Sequence, residues 1–140
     1  MRTRLGTSAA LMVLVLILSS TPASAQFVSL VGGPPPVQDF NTLAASGSSS
    51  TLPNGWYLAE TDDNANSEYR AGDGSSNTGD TYSFGAGTDS ERAFGTLQSS
   101  SLVSRIGAQL RNDSGLAITE ITVNYTGEQW RLGATGRADT

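Results

Sequence analysis

The chain has 140 residues, with 13 acidic and eight basic side chains and a formal net charge of −5. It contains neither histidine nor cysteine, which excludes a Ser-His-Asp triad, a histidine-ligated zinc ion, a thiol nucleophile and disulfides. All the basic residues are arginine, and an acidic chain without lysine clusters lacks the positive surface that the nucleic-acid backbone requires. We therefore expect no nucleic-acid partner.

The N-terminal residues have the features of an export signal. Two arginines are followed by an apolar run at 9–18 that contains LMVLVLIL, and Ala23 and Ala25 are the small residues that a signal peptidase needs. The run has about half of the ~20 residues that cross a bilayer. We predict that 1–25 form a signal helix and that cleavage occurs before Gln26. The mature protein would be secreted, extracellular or in the cell envelope, without a membrane anchor.

Cleavage would leave one small domain with six arginines and 13 acidic residues, a net charge of −7. The predicted elements are a linker at 26–37, a strand at 38–45, a flexible loop at 46–51, a strand at 55–61, a polar loop at 62–79, and strands beginning at Asp80 and Arg92. Short strands between turn signals are typical of a β-sandwich or jelly roll. The predicted fold over 38–140 is an all-β, antiparallel, jelly-roll-like sandwich.

Two further segments alternate between apolar and polar residues, at 102–110 and 117–125. The turn-forming sequence NDSG at 112–115 lies between them. A tight turn there predicts a hairpin with Ile106 opposite Ile121, which places the apolar residues of both strands on one face.

The sequence NYTGEQWRLG continues the last of these segments, and Gly127 lies within it. A glycine inside a strand often marks a bulge, which would turn Glu128 and Trp130 towards the core. A buried Glu128 would need a donor, for which Arg131 or Arg92 is suitable. This interpretation makes Trp130 a structural residue.

The alternative interpretation places Asn124, Glu128 and Trp130 together on an open face. An aromatic ring beside acid and amide groups is typical of a sugar-binding platform, because the C–H face of the sugar stacks and its hydroxyls form hydrogen bonds. The expected partner would be a polysaccharide or another cell-surface component.

The polar segment 61–80 is rich in oxygen ligands. Asp62, Asp63, Asp73 and Asp80 are candidate ligands for calcium, which prefers carboxylate and carbonyl oxygens. The spacing does not match an EF-hand loop. A solvated loop of turn-forming residues is the other interpretation of the same composition.

The motifs NTGDTYSFG (77–85), RAFG (92–95) and YTGEQWR (125–131) resemble a domain near the N-terminus of exported bacterial proteins. In such proteins the domain often precedes a PEP-CTERM sorting signal, a lamin-tail-like domain or an extracellular endonuclease/exonuclease/phosphatase module. The resemblance implies a jelly-roll-like sandwich with no established activity of its own. It also implies that relatives continue into further strands past Thr140, so that the sandwich here is incomplete at its C-terminus.

Two function classes follow from these observations. The first is a secreted, non-catalytic module that is structural or binds a glycan or a surface. The second is the N-terminal accessory domain of a secreted endonuclease or phosphoesterase whose catalytic module is absent from this chain. In both cases we expect this chain itself not to be an enzyme.

Overall fold

The computed structural model describes residues 26–34 and 36–132, and within this part the chain forms eight strands and no helix. The predicted signal helix lies outside the described residues. The strands are β1 (Val28–Leu30), β2 (Ser48–Ser49), β3 (Trp56–Thr61), β4 (Tyr69–Gly72), β5 (Asp80–Phe84), β6 (Ala93–Leu97), β7 (Val103–Ala108) and β8 (Leu110–Asn112). The all-β class predicted from the sequence is confirmed.

The strands form three sheets. The largest has the order β2-β4-β5-β6, in which β4 and β5 are parallel and the other two pairs are antiparallel. Strands β3 and β7 form an antiparallel pair, and β1 and β8 form a parallel pair. The β-sheet structure is therefore mixed rather than purely antiparallel.

Four of the predicted strands are confirmed, as β3, β5, β6 and β7. The predicted strand at 38–45 is wrong, because this segment turns: the amide of Leu43 donates to the carbonyl of Phe40, and Phe40 has a φ of 60°. Strand β4 lies within the predicted polar loop, and β1 lies within the predicted linker.

The position of β1 depends on Gly55, which precedes β3. Its φ is +80°, a backbone conformation that favours glycine, and a Cβ atom at this position would collide with the backbone of Phe27 and Val28. The amide of Val28 donates to the carbonyl of Gln109 at 2.8 Å. Glycine therefore lets the backbone at 27–28 pass close enough for β1 to pair with β8.

The predicted hairpin between 102–110 and 117–125 is wrong. Ile106 in β7 lies opposite Leu58 in β3, and residues 113–132 form no strand. At the predicted turn, the Asn112 side chain accepts from the amide and hydroxyl of Ser114. This local turn does not bring the following segment back onto β7, whose strand partner is β3 instead.

Buried and half-buried polar side chains link β5 to the β3-β7 pair. The hydroxyl of Thr81, which is fully buried, lies 2.6 Å from Oε1 of Glu60 and 2.8 Å from Oγ of Ser104. The other carboxylate oxygen of Glu60 accepts from the amides of Asn66 and Ser67 at 3.0 and 3.1 Å. Glu60 thus connects three strands and the loop after β3.

An aromatic cluster lies between the same two groups of strands. Phe40 packs edge-on against Trp56 of β3 at 4.6 Å between ring centroids and contacts Phe94 of β6 at 5.5 Å. Phe94 also packs against Tyr69 of β4 at 5.8 Å. The turn at Phe40 therefore supplies a side chain that bridges β3 and β6. The strand predicted at 38–45 did not include this contact.

Candidate functional site

A column of three aromatic rings lies on one face of the four-stranded sheet. Tyr82 and Phe84 alternate along β5 and stack at 5.0 Å between centroids, and the ring of Phe84 stacks on Trp130 at 6.0 Å with only 8° between the ring planes. Tyr82 is buried, whereas Trp130 is half-buried at the end of the column.

Two glycines in the flanking strands make room for this column. A Cβ atom at Gly72 in β4 would come within 2.9 Å of the Tyr82 ring, and one at Gly95 in β6 would come within 3.2 Å of the Phe84 ring. Larger residues at either position would push the rings away from the sheet. The rings lie flat over the strands because both neighbours lack side chains.

Trp130 is oriented by polar contacts on both sides of it in the chain. Its indole Nε1–H donates to the carboxylate of Glu128 at 2.9 Å. The guanidinium of Arg131 contacts the carbonyl oxygens of Gly74, Ser75 and Ser76 at 3.2, 3.1 and 2.9 Å. Arg131 also donates to the side chain of Asn77.

The polar loop before β5 is shaped to receive this end of the chain. Gly74 has a φ of +84°, and a Cβ atom there would collide with the carbonyl of Trp130. Three successive carbonyls of the loop face the one guanidinium of Arg131. The backbone of the loop therefore binds a cation, and this cation is the guanidinium of Arg131.

The structure corrects the predicted bulge at Gly127. No strand passes through this residue, its φ is not positive and a Cβ there would meet open space. Glu128 is exposed, and its hydrogen bond comes from Trp130 instead of Arg131 or Arg92. Asn124 lies in the exposed segment 115–129. Of the three residues predicted to form the platform, Glu128 and Trp130 are joined by a hydrogen bond.

The four aspartates predicted to bind calcium have separate surroundings. Asp62 and Asp63 are exposed, and Asp73 accepts hydrogen bonds from the amide and hydroxyl of Ser75, which lower the pKa of its carboxyl. Burial raises the pKa of Asp80, against the lowering effects of the Thr81 amide and of Arg70 at 3.7 Å. Among the described residues, no group of three or more acidic side chains could hold a metal ion.

The segment 115–129 is exposed at every residue. Its large apolar side chains have exposed fractions from 39% to 89%; they are Leu116, Ile118, Ile121, Val123 and Tyr125. A groove of about 470 Å³ separates part of this segment from β1 and β8, and Leu30 and Leu110 line its other side. Exposed apolar side chains that cluster in one segment, as these do, are typical of an interaction site.

Sequence reasoning proposed Trp130 and Glu128 as candidate residues but missed the residues that contact Trp130 from other parts of the chain. The alternation of Tyr82 and Phe84 within DTYSF was a signal for a shared face, whereas nothing in the sequence connected Phe84 to Trp130, 46 positions later. The contacts of Arg131 with the loop at 74–77 are equally distant in sequence. Such pairs arise only when the chain folds.

Comparison with known protein families, curated proteins and solved structures found no match to this chain. Within the described part of the chain, no helix is long and apolar enough to cross a membrane.

Proposed function

We propose that the chain is a secreted, non-catalytic β-sandwich module of jelly-roll type that binds a polysaccharide or another cell-surface glycan. The parallel stacking of Trp130 on Phe84 carries this proposal, because it supports a half-exposed ring rigidly from behind. Trp130 and Glu128 are the binding residues, and Asn124 is a second-rank candidate on the neighbouring exposed segment.

The interactions between strands support a sandwich with two facing layers. Thr81 reaches from β5 to Glu60 in β3 and Ser104 in β7, and Phe40 bridges Trp56 in β3 and Phe94 in β6. Contacts of this kind between the interiors of two sheets are typical of sandwiches. Export through the sequence at 1–25 remains a prediction, since that segment lies outside the described residues.

The chemistry of the platform suits a sugar ring. An indole ring offers a flat apolar face to the C–H groups of a sugar, and a neighbouring carboxylate accepts hydrogen bonds from its hydroxyls. Glu128 has a second carboxylate oxygen besides the one that accepts from Trp130. The hydrogen bond and the stacking both fix the indole, so little conformational entropy is lost when a ligand binds.

The test is native affinity electrophoresis of the exported protein in gels that contain soluble β-glucan, xylan or pectin. We expect at least one of these polysaccharides to retard the protein. Trp130→Ala should abolish the retardation because it removes the stacking face, and Glu128→Gln should weaken it while it leaves the ring in place. Circular dichroism melts verify that each variant remains folded.

Tyr125→Ala is the matched control, because Tyr125 is an exposed aromatic residue of the same segment. It should bind as the unaltered protein does. Equal losses for Tyr125→Ala and Trp130→Ala would indicate non-specific adhesion and contradict the platform. Failure of all three polysaccharides to retard the protein would also count against the proposal.

A further inference from the structure

The exposed segment 116–125, LAITEITVNY, has the composition of a strand although it pairs with none in the described part of the chain. Isoleucine, valine, threonine and tyrosine favour strands because they pack well on a pleated surface. The segment carries one charge, on Glu120. We propose that 116–125 pairs with the same segment of a second copy of this chain, and that the protein is a symmetric dimer.

The geometry of a two-fold axis restricts the possible registers. In an antiparallel pair related by an axis perpendicular to the sheet, opposite residues must have the same parity, so that each side chain meets one on the same face. Pairing centred on Glu120 would place two carboxylates opposite each other, which destabilises a sheet. Pairing centred on Ile121 avoids this and places Glu120 opposite Thr122 of the other copy.

Side-chain size favours the same centre. With Ile121 on the axis, Val123 lies opposite Thr119 and Tyr125 lies opposite Ala117. Each larger residue therefore meets a smaller one, and the five residues of this parity form one continuous, mostly apolar face from both copies. In this register the segment is complementary to itself in side-chain size and avoids contact between like charges, which is why we assign the partner as a second copy.

Such a pair also forms a closed assembly. Both copies use the same edge, and no third chain can join through it. Ile121, which is 52% exposed in the monomer, then lies against Ile121 of the other copy, and Val123, which is 73% exposed, lies against its Thr119. The backbone groups along this edge of 116–125 are satisfied by the partner strand instead of by water.

Cysteine cross-linking in the full exported chain tests the register, because the protein has no cysteine of its own. Ile121→Cys places the two new thiols opposite each other on the axis, where Cβ atoms are about 4.5–5.5 Å apart. Mild oxidation should give a disulfide-linked dimer. Leu116→Cys is the matched control, since its two copies would be separated by ten residues, about 34 Å, and should remain unlinked.

A charge variant tests the same register without a covalent bond. Thr122→Arg places a guanidinium opposite Glu120 twice in each dimer and should lower the dissociation constant by about 2- to 30-fold, as expected from two cross-strand pairs of about 0.2–1 kcal/mol each. Salt should remove this gain. Thr119→Arg is the control: it faces Val123 and should give no such gain.

Sedimentation equilibrium of the unaltered chain should give twice the monomer mass. A monomer at every concentration would overturn the proposal, as would linkage of Leu116→Cys as rapid as that of Ile121→Cys. Binding of polysaccharide through Trp130 does not depend on this pairing. The dimer can therefore fail while the proposed function stands, and the reverse also holds.

Discussion

At the scale of single residues, Arg92 is the least expected feature of the core. Its side chain is 1% exposed, and its Nε–H donates to the hydroxyl of Ser83 at 2.9 Å. Its NH2 group donates to the Ser83 carbonyl, while NH1 has no hydrogen-bond partner among the described residues. A Cβ at Gly85 would collide with the guanidinium. Arg92 fits in the core because its planar guanidinium presents two donors to Ser83 and because Gly85 has no side chain to occupy the same space.

We expect Arg92→Lys to destabilise the protein by about 1–3 kcal/mol, because one ammonium group cannot replace the two donors that reach Ser83 from different directions. Arg70→Lys is the matched control. The Arg70 side chain is 51% exposed and lies 3.7 Å from Asp80, so this change should stay within about 0.5 kcal/mol. Urea denaturation followed by tryptophan fluorescence measures both, and equal effects would mean that Arg92 is not held as described.

At the scale of strands, the pairing of β7 distinguishes the observed fold from the predicted hairpin. β7 runs antiparallel to β3 with Val103 opposite Thr61 and Ala108 opposite Trp56. Leu102, immediately before β7, is 1% exposed. The apolar alternation of β7 was correctly recognised, but its partner lies 40 or more residues earlier in the chain instead of directly after it.

This pairing predicts opposite results for the same substitution at two apolar positions. Leu102→Asp should abolish folding because it places an unpaired carboxylate in the core. Ile121→Asp should leave the fold intact, since Ile121 is 52% exposed, although it should weaken the proposed dimer. Circular dichroism and sedimentation measure the two effects separately. Loss of folding in Ile121→Asp would contradict the observed pairing and support the predicted hairpin between 102–110 and 117–125.

At the scale of the whole molecule, polar contacts join sheets that share no strand. The hydroxyl of Thr81 in β5 contacts Glu60 in β3 and Ser104 in β7, and all three side chains are at least partly buried. A carboxylate in such a place must be satisfied by donors, because an unpaired buried charge is costly. The cluster therefore fixes how the two groups of strands are aligned.

We expect Thr81→Val to destabilise the protein by about 1–3 kcal/mol, because it keeps the shape of the side chain but removes a donor to Glu60. Thr96→Val is the control: Thr96 lies directly opposite Thr81 on β6 and is exposed, so this change should have little effect. Thermal melts of both variants measure the difference. Similar melting temperatures would show that the Thr81 contact does not join the sheets.

What the sequence by itself determined is the local structure and the available chemistry. The all-β class and the strands β3, β5 and β6 follow from turn residues and from alternation with a period of two, which are properties of neighbouring residues. The absence of histidine and cysteine likewise limits the chemical groups whatever the fold.

The tertiary structure alone decided which segments pair and which side chains meet. Alternation in β7 specifies a buried face but not a partner, so the hairpin and the pairing with β3 are equally compatible with it. The stacking of Trp130 on Phe84 and the burial of Arg92 beside Gly85 also depend on contacts between distant parts of the chain. Such contacts are set by how the whole chain excludes water and satisfies its buried polar groups, which no short stretch of sequence encodes.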